Sequence, residues 1–227
     1  MEQFGEKNLT EKISDAIVQY ILKQQLKIGD RLPNEYELAR ELQTGRGTVR
    51  EAMKLLVSRN IVEVRQGSGT YVSAQKGLSK DPLGLLFVEN KIQLAKDLID
   101  LRIIIEPPIA ALAAQKATEQ NIEVINALCE DVEGLYQQGE DHHMQKDIEF
   151  HTAIAQSTQN LVVPRLIPII SFSIELLVER YPSEELFHKT IETHKRVARS
   201  IANGDASGAQ DAMYLHLVYN RESLRDF

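Results

Sequence analysis

Residues 45–56 read Gly45-Arg46-Gly47-Thr48-Val49-Arg50-Glu51-Ala52-Met53-Lys54-Leu55-Leu56. The apolar residues at positions 49, 52, 53, 55 and 56 follow the spacing of an amphipathic helix, which predicts a helix that begins at Arg46. Arg46 and Arg50 are four residues apart, so their side chains should leave the first turns of this helix in the same direction.

Two shorter helical patterns precede this helix. Residues 10–26 carry apolar side chains at helical spacing, and Thr10 is the expected N-cap. A second helix should begin after Asn34, which is also a good N-cap, and run to Leu42. Residues 43–45 then form the turn that leads into the third helix.

Two short segments of alternating polarity follow the third helix. They are residues 61–65 and 70–72, and the Gly-rich stretch 66–69 between them predicts a β-hairpin. Three helices and a hairpin in this order predict a winged helix-turn-helix. The helix after the turn fits the DNA major groove, and the hairpin can reach the adjacent minor groove or backbone.

The arginine pair on the third helix suits contact with DNA. Arg46 and Arg50 could reach a guanine edge or phosphates, with Thr48 nearby. The alternative is that the two arginines only solvate a surface helix. The surrounding helix-turn-helix and wing favour DNA contact.

Composition divides the chain into two different parts. Residues 1–73 carry 11 Lys and Arg against 10 Asp and Glu, whereas residues 74–227 carry 15 against 23. The net charge of −7 argues against non-specific nucleic-acid binding by the whole surface. No apolar run reaches the roughly 20 residues that span a bilayer, and the N-terminus does not resemble a signal peptide. We therefore expect a cytoplasmic protein with no membrane partner.

The second part of the chain shows only helical patterns. They cover about residues 81–88, 91–117, 119–138, 140–157, 160–180, 183–203 and 205–225. The expected fold is mainly α, with a winged helix-turn-helix domain at 8–72, a linker at 73–80 and an all-α helical bundle at 81–227.

One stretch of the helical part predicts a metal site. Asp147 and His151 are four residues apart on one helix face, where they could bind an ion together. His194 and His216 lie on later helices among mostly apolar neighbours. A single such histidine is more often a satisfied core residue. Burying three imidazoles and a carboxylate would be costly, however, and a shared divalent cation such as Zn²⁺ or Ni²⁺ removes much of that cost.

The N-terminal part resembles the DNA-binding domain of the GntR family of bacterial transcription regulators. The motifs that carry the resemblance are Leu32-Pro33-Asn34-Glu35, Gly45-Arg46-Gly47-Thr48-Val49-Arg50-Glu51-Ala52 and Gly67-Ser68-Gly69-Thr70-Tyr71-Val72. The resemblance implies that Arg46, Thr48 and Arg50 contact the operator and that Gly67 lies at the wing tip.

The chain departs from this family pattern at two positions. It has Tyr36 where many members carry Arg, which affects an expected phosphate contact. It has Gly45 where many members carry Ser or Thr, so the side chain that would cap the helix is missing. Thr44 could take over this cap.

Residues 80–225 resemble the all-helical effector domain of the FadR subfamily of GntR regulators. The matching residues are Leu101-Arg102, Glu106-Pro107, Ala110, Ala113-Ala114, Asp147, Phe150-His151, Asn160, His194, Gly204-Asp205-Ala206, Ala209 and His216-Leu217. In metal-containing members an Asp and three His bind the ion, and these correspond to Asp147, His151, His194 and His216.

The same resemblance implies a small carboxylate or sugar-acid effector that completes the coordination of the ion. Arg102 is the candidate to hold this carboxylate, because a guanidinium can bind it bidentately. The alternative is an ion pair between Arg102 and Glu106, four residues later. Asn160 could orient the effector or cap the following helix.

The function expected from the sequence is that of a ligand-responsive transcription regulator, not an enzyme, with repression relieved by a metabolite as the family default. A homodimer would read a palindromic operator with two recognition helices. One alternative is a regulator with a purely structural metal. Another is a metal-dependent hydrolase with an appended DNA-binding domain, but Glu149 should point away from Asp147, which leaves no general base.

Overall fold

The computed structural model describes residues 7–74, 77, 81–138, 143–171 and 184–224. The chain divides into two compact units, Met1–Leu83 and Gly84–Phe227. The predicted fold class is confirmed, because helices dominate and the small sheet is the wing of the first unit. No helix within the described ranges is long and apolar enough to cross a membrane.

The first unit is a winged helix-turn-helix. Its elements are α1 (Leu9–Lys23), α2 (Glu35–Glu41), α3 (Arg46–Ser58), β1 (Val62–Arg65) and β2 (Gly69–Val72). The strands are antiparallel, with Val62 opposite Val72 and Arg65 opposite Gly69. The apolar faces of the three helices pack with Val62 into one core, which fixes α3 and the wing relative to each other.

The helix caps of this unit confirm one expectation and correct two. Asn34 caps α2 as predicted. The predicted cap of α1 at Thr10 is wrong: the N-cap is Asn8, because Asn8 and Glu11 form a reciprocal capping box. Gly45 is the N-cap of α3 without a side-chain hydrogen bond, so Thr44 does not replace the missing cap.

We expect Asn34→Ala to lower the free energy of local unfolding of α2 by about 1 kcal/mol, because two backbone N–H groups lose their hydrogen-bond acceptor. The side-chain oxygen of Asn34 accepts hydrogen bonds from the N–H groups of Tyr36 and Glu37, both at 3.0 Å. Hydrogen exchange of α2 amides measures the effect. Asn34→Asp keeps an acceptor and should exchange at nearly the wild-type rate, and an equal acceleration in both variants would contradict the capping role.

The second unit is an all-helical bundle. Its helices are α4 (Lys91–Lys116), α5 (Glu119–Gln137), α6 (His143–Ser157), α7 (Val163–Ile170), α8 (Glu184–Ala202) and α9 (Ala206–Glu222). Helix α9 packs mainly against α4 and α8, and α6 packs against α5, α7 and α4. The main core lies between these helices and includes Phe150, Ile154, Ile201, Met213 and Leu217.

Some predicted helix boundaries in this unit need correction. The predicted helix at 81–88 is wrong, because the segment forms only a short 3₁₀ turn, Leu85–Phe87, after Gly84 in a left-handed conformation. The predictions for residues 140–142 and 172–180 lie outside the described residues.

Candidate metal centre and nucleic-acid interface

Three helices of the second unit bring three histidines together. His151 comes from α6, His194 from α8 and His216 from α9, and all three side chains are buried. One potential ligand atom from each lies within 4.8 Å of the others. Because the three helices pack around a common core, residues separated by more than 60 positions in sequence can meet at one point. Three imidazoles at this separation could hold a metal ion.

Asp147 lies beside this histidine cluster. One of its carboxylate oxygens is 3.3 Å from Nε2 of His194, and the other is 3.8 Å from Nε2 of His151. The contact with His151 follows from their separation by one helical turn on α6. The structure thus places Asp147 beside two of the three histidines, while the group whose potential ligand atoms all lie within 4.8 Å of one another contains the histidines alone. Metal binding by the four residues stays a prediction.

A carboxylate from a fourth helix orients His151. Glu106, on α4, is buried and its Oε2 lies 2.6 Å from Nδ1 of His151. Burial opposes ionisation of this carboxyl, but its interactions with Arg102 and His151 outweigh burial and lower the pKa of Glu106 to about 2. An ionised carboxylate only accepts hydrogen bonds, so Nδ1 of His151 donates. In a neutral ring, the lone pair is then on Nε2.

His216 has a similar arrangement with neutral partners. Its Nδ1 lies 3.2 Å from the hydroxyl oxygen of Thr193, and its Nε2 lies 3.3 Å from the side-chain nitrogen of Asn220. The Thr193 hydroxyl directs its hydrogen at backbone carbonyls of Lys189 and Thr190, so it accepts from Nδ1 of His216. The lone pair of His216 is therefore also on Nε2.

Several polar atoms in this cluster are buried without a hydrogen-bond partner among the described residues. They are Nε2 of His151 and both ring nitrogens of His194. Buried polar atoms are normally satisfied, and a cation would accept the lone pairs of such nitrogens. Burial lowers the pKa of His194 to about 4 and that of His216 well below its usual value. These two rings are thus neutral near pH 7, which is the form that binds metals.

The two residues expected to contact an effector differ in their surroundings. Arg102 is fully buried, and its Nε donates to Oε1 of Glu106 at 2.5 Å, so the intrahelical ion pair proposed as the alternative is present. Asn160 is exposed, and its side-chain oxygen accepts hydrogen bonds from the N–H groups of Val162 and Val163 at the start of α7. These bonds form a turn just before α7, whose N-cap, Val162, has no side-chain cap. An effector contact by either residue stays a prediction.

The supporting partners of the histidines were not identified from the sequence. Asn220 follows His216 by one helical turn, so local spacing carried a weak signal for that contact. Thr193 contacts His216 across 23 positions, which local spacing does not reveal. The contact between Glu106 and His151 spans 45 positions. Helical periodicity cannot reveal such a contact, because it depends on how α4 and α6 pack.

The predicted DNA-contacting residues lie on α3 and in the turn of the wing. Arg46 and Arg50 have side chains 63% and 51% exposed, and both contact Glu35 at the start of α2. Thr48 is half-buried on the same helix, α3. Gly67 lies in the turn between β1 and β2 with φ +71°, a conformation that favours glycine.

A groove of about 950 Å³ runs between α3 and the wing. Four basic side chains line it, namely Arg31, Arg46, Arg50 and Lys54. Gly69 also lines the groove. Its φ is +132°, and a side chain at this position would collide with the guanidinium of Arg31, so the glycine leaves room for that group. A groove lined by cations beside an exposed helix suits the sugar-phosphate backbone of DNA.

Two family models match the sequence of this chain. "Bacterial regulatory proteins, gntR family" matches residues 9–72, the winged helix-turn-helix. "FCD domain" matches residues 97–219, which is more than half of the chain and includes the histidine cluster.

Individual relatives match along nearly the whole chain. It is 29% identical to the "Putative L-lactate dehydrogenase operon regulatory protein" of Escherichia coli K12, over 97% of this chain and 88% of that protein. It is 30% identical to "HTH-type transcriptional regulator LutR" of Bacillus subtilis 168, over 86% and 91% respectively. Among solved structures, Streptococcus agalactiae GntR aligns with a TM-score of 0.84 and 37% identity, covering 94% of this chain and 99% of that one.

Proposed function

Because the chain belongs to the gntR family of bacterial regulatory proteins, in the class that carries an FCD domain, we propose that it is a metal- and carboxylate-dependent regulator. The matched relatives are named transcription regulators, not enzymes, so the hydrolase alternative is set aside. The first unit would bind operator DNA, and the second would bind the metal and the effector.

The observation that carries the metal proposal is the set of buried ring nitrogens in the histidine cluster. His151 and His194 present buried nitrogens without a hydrogen-bond partner among the described residues, and a potential ligand atom of His216 lies within 4.8 Å of one from each of them. With Asp147 they form a three-nitrogen, one-oxygen donor set, which suits Zn²⁺ or Ni²⁺. A bound ion would supply a Lewis-acid centre for an effector carboxylate.

The residues around the cluster would hold it in a fixed geometry. Glu106 fixes the tautomer and ring orientation of His151, and Arg102 holds Glu106 from its other side. This buried network connects α4 to α6 at the proposed site. A carboxylate bound to the metal would lie near the guanidinium of Arg102, which contacts Glu106 beside the histidine cluster. A positive charge in this position favours an anionic effector over a neutral one.

The class of effector is inferred from the proposed metal ion, to which a carboxylate could bind, and from one relative. The Escherichia coli protein is named for an L-lactate dehydrogenase operon, and lactate is a small hydroxy acid. We propose a small hydroxy or sugar acid whose carboxylate and hydroxyl chelate the ion. With four protein ligands, this requires a coordination number above four.

DNA binding is proposed to use α3 as the recognition helix. A homodimer would place two copies of α3 on a palindromic operator in the cytoplasm. The effector would favour one arrangement of the dimer, with a coupling of about 1–3 kcal/mol. Repression relieved by the effector is the expected direction.

The test is a thermal-shift experiment on metal-loaded, full-length protein with L-lactate and with L-lactamide. We expect L-lactate to raise the melting temperature, because it binds the native state, and the neutral amide to have little effect. L-lactate should also change affinity for operator DNA. Arg102→Lys, which keeps a charge beside Glu106 but loses the planar fork, should weaken the L-lactate response about 10-fold.

The possible outcomes separate the alternatives. Metal at full occupancy without a response to L-lactate, other hydroxy acids or sugar acids would support a purely structural metal. An unchanged response in Arg102→Lys would leave Arg102 as a partner of Glu106 alone. Absence of divalent metal from protein purified without chelators, together with no uptake of Zn²⁺ or Ni²⁺, would overturn the metal proposal.

A further inference from the structure

Glu35 connects the two arginines of the proposed recognition helix. It is the first residue of α2, and its Oε2 lies 3.0 Å from Nη2 of Arg50 and 3.3 Å from Nε of Arg46. Nε of Arg50 also donates to both carboxylate oxygens, at 3.3 and 3.2 Å. One carboxylate thus holds two guanidinium groups on the face that would meet DNA.

The contact with Arg50 engages only one edge of the guanidinium. A guanidinium has five N–H donors, and Glu35 uses those of Nε and Nη2. Nη1 and the second hydrogen of Nη2 form the other edge, and the side chain is 51% exposed. The end of Arg50 therefore stays available for a bidentate contact while Glu35 fixes the plane of the group.

Glu35 is itself well placed to act as a support. Its side chain is 31% exposed, and it directly follows Asn34, whose capping box fixes the start of α2. The hydrogen bond from Arg50 is the main cause of a lowered pKa of Glu35, with burial acting in the opposite direction. The carboxylate is therefore ionised near neutral pH, when it can accept charge-assisted hydrogen bonds.

We propose that Glu35 is a positioning residue for DNA recognition, which orients the free edge of Arg50 towards a base edge. This inference rests on the proposed function, in which α3 reads DNA. A negative charge near the phosphates also lowers the affinity for every duplex. Glu35 would therefore raise the ratio of specific to non-specific affinity, although it weakens binding in general.

A different role would give the opposite effect on specific binding. If Glu35 only competed with DNA for the arginines, its removal would strengthen specific binding at least as much as non-specific binding. If it only stabilised the fold, its removal would weaken both equally. The ratio of the two affinities therefore distinguishes positioning from competition and from folding.

The experiment compares wild type, Glu35→Gln and Glu51→Gln as full-length proteins. Wild type first selects a preferred duplex from a random-sequence pool, and each protein is then titrated with that duplex and with a scrambled one. Glu51→Gln is the matched control, because Glu51 is a 57% exposed carboxylate on α3 that bonds Lys54 and makes no hydrogen bond to Arg46 or Arg50 among those the structure describes.

We expect Glu35→Gln to reduce the specific to non-specific affinity ratio about 10-fold, since a well-oriented bidentate contact discriminates by that order. The scrambled duplex should bind Glu35→Gln at least as tightly as it binds wild type. Glu51→Gln should retain the wild-type ratio. In an Arg50→Ala background, Glu35→Gln should have little further effect on the ratio.

An unchanged or increased ratio in Glu35→Gln would overturn the positioning role, and so would an equal loss of affinity for both duplexes. Failure of wild type to enrich any sequence from the pool would instead contradict the proposed function. Circular dichroism melting of the variants identifies an unfolded protein. The more conservative Glu35→Asp, which keeps the charge but shortens the reach, should give a ratio between those of wild type and Glu35→Gln.

Discussion

His194→Ala is expected to abolish stoichiometric divalent metal in the purified protein. The ring of His194 lies 4.5 Å from that of His216 and 5.5 Å from that of His151, and its Nε2 is 3.3 Å from Asp147. Removing it deletes the one proposed ligand that α8 contributes and leaves three proposed donors. We expect Zn²⁺ affinity to fall by more than about 100-fold, since even indirect partners of metal ligands contribute 10–100-fold. Elemental analysis after dialysis measures the loss.

A matched control for this variant is His188→Ala. His188 is on the same helix, but its side chain is 74% exposed and it lies outside the histidine cluster. It should retain the wild-type metal content. Asp147→Asn, which preserves shape while removing the charge, should lower metal affinity without a cavity in the core. Full metal occupancy in folded His194→Ala would refute the four-ligand proposal.

Local spacing in the sequence predicts much of the DNA-binding unit. Periodic apolar residues in 45–56 and the glycines at 67 and 69 are short-range signals, and each corresponds to an element of the winged helix-turn-helix. The error at Thr10 has a local cause as well. The capping box formed by Asn8 and Glu11 places the start of α1 before the predicted cap at Thr10. Apolar periodicity does not detect a capping box, because the residues that form it are polar.

The histidine cluster was only partly accessible to the same reasoning. Asp147 and His151 are one turn apart, so their proximity follows from helix geometry alone. His194 and His216 are proposed from their apolar helical neighbours and from the resemblance to a family, since helix spacing alone does not place them near Asp147; their approach depends on the packing of α6, α8 and α9. The ion pair of Arg102 with Glu106 was anticipated, but the second contact of Glu106, with His151, was not. That contact makes Arg102 part of a network that orients a candidate metal ligand, and its predicted contact with an effector stays a prediction.

Arg50→Ala is expected to weaken binding to the selected duplex by about 10–100-fold, the range for loss of one bidentate base contact. Affinity for a scrambled duplex should change much less. The matched control is Arg59→Ala, which removes an equal charge from an exposed position at the other end of α3. It should weaken both duplexes slightly and equally. Titrations followed by fluorescence anisotropy at fixed moderate salt measure both affinities.

Arg50→Lys separates the charge of Arg50 from its geometry. Lysine keeps the attraction to phosphates but lacks the planar fork that Glu35 holds and that a guanine edge requires. If Arg50 reads a base, Arg50→Lys should bind the scrambled duplex like wild type and lose most of its preference for the selected one. If Arg50 only contacts phosphate, Arg50→Lys should resemble wild type on both duplexes, and a reduced salt dependence should be confined to Arg50→Ala. That second pattern would move base recognition to Arg46 or the wing and remove the reason for Glu35 to orient Arg50.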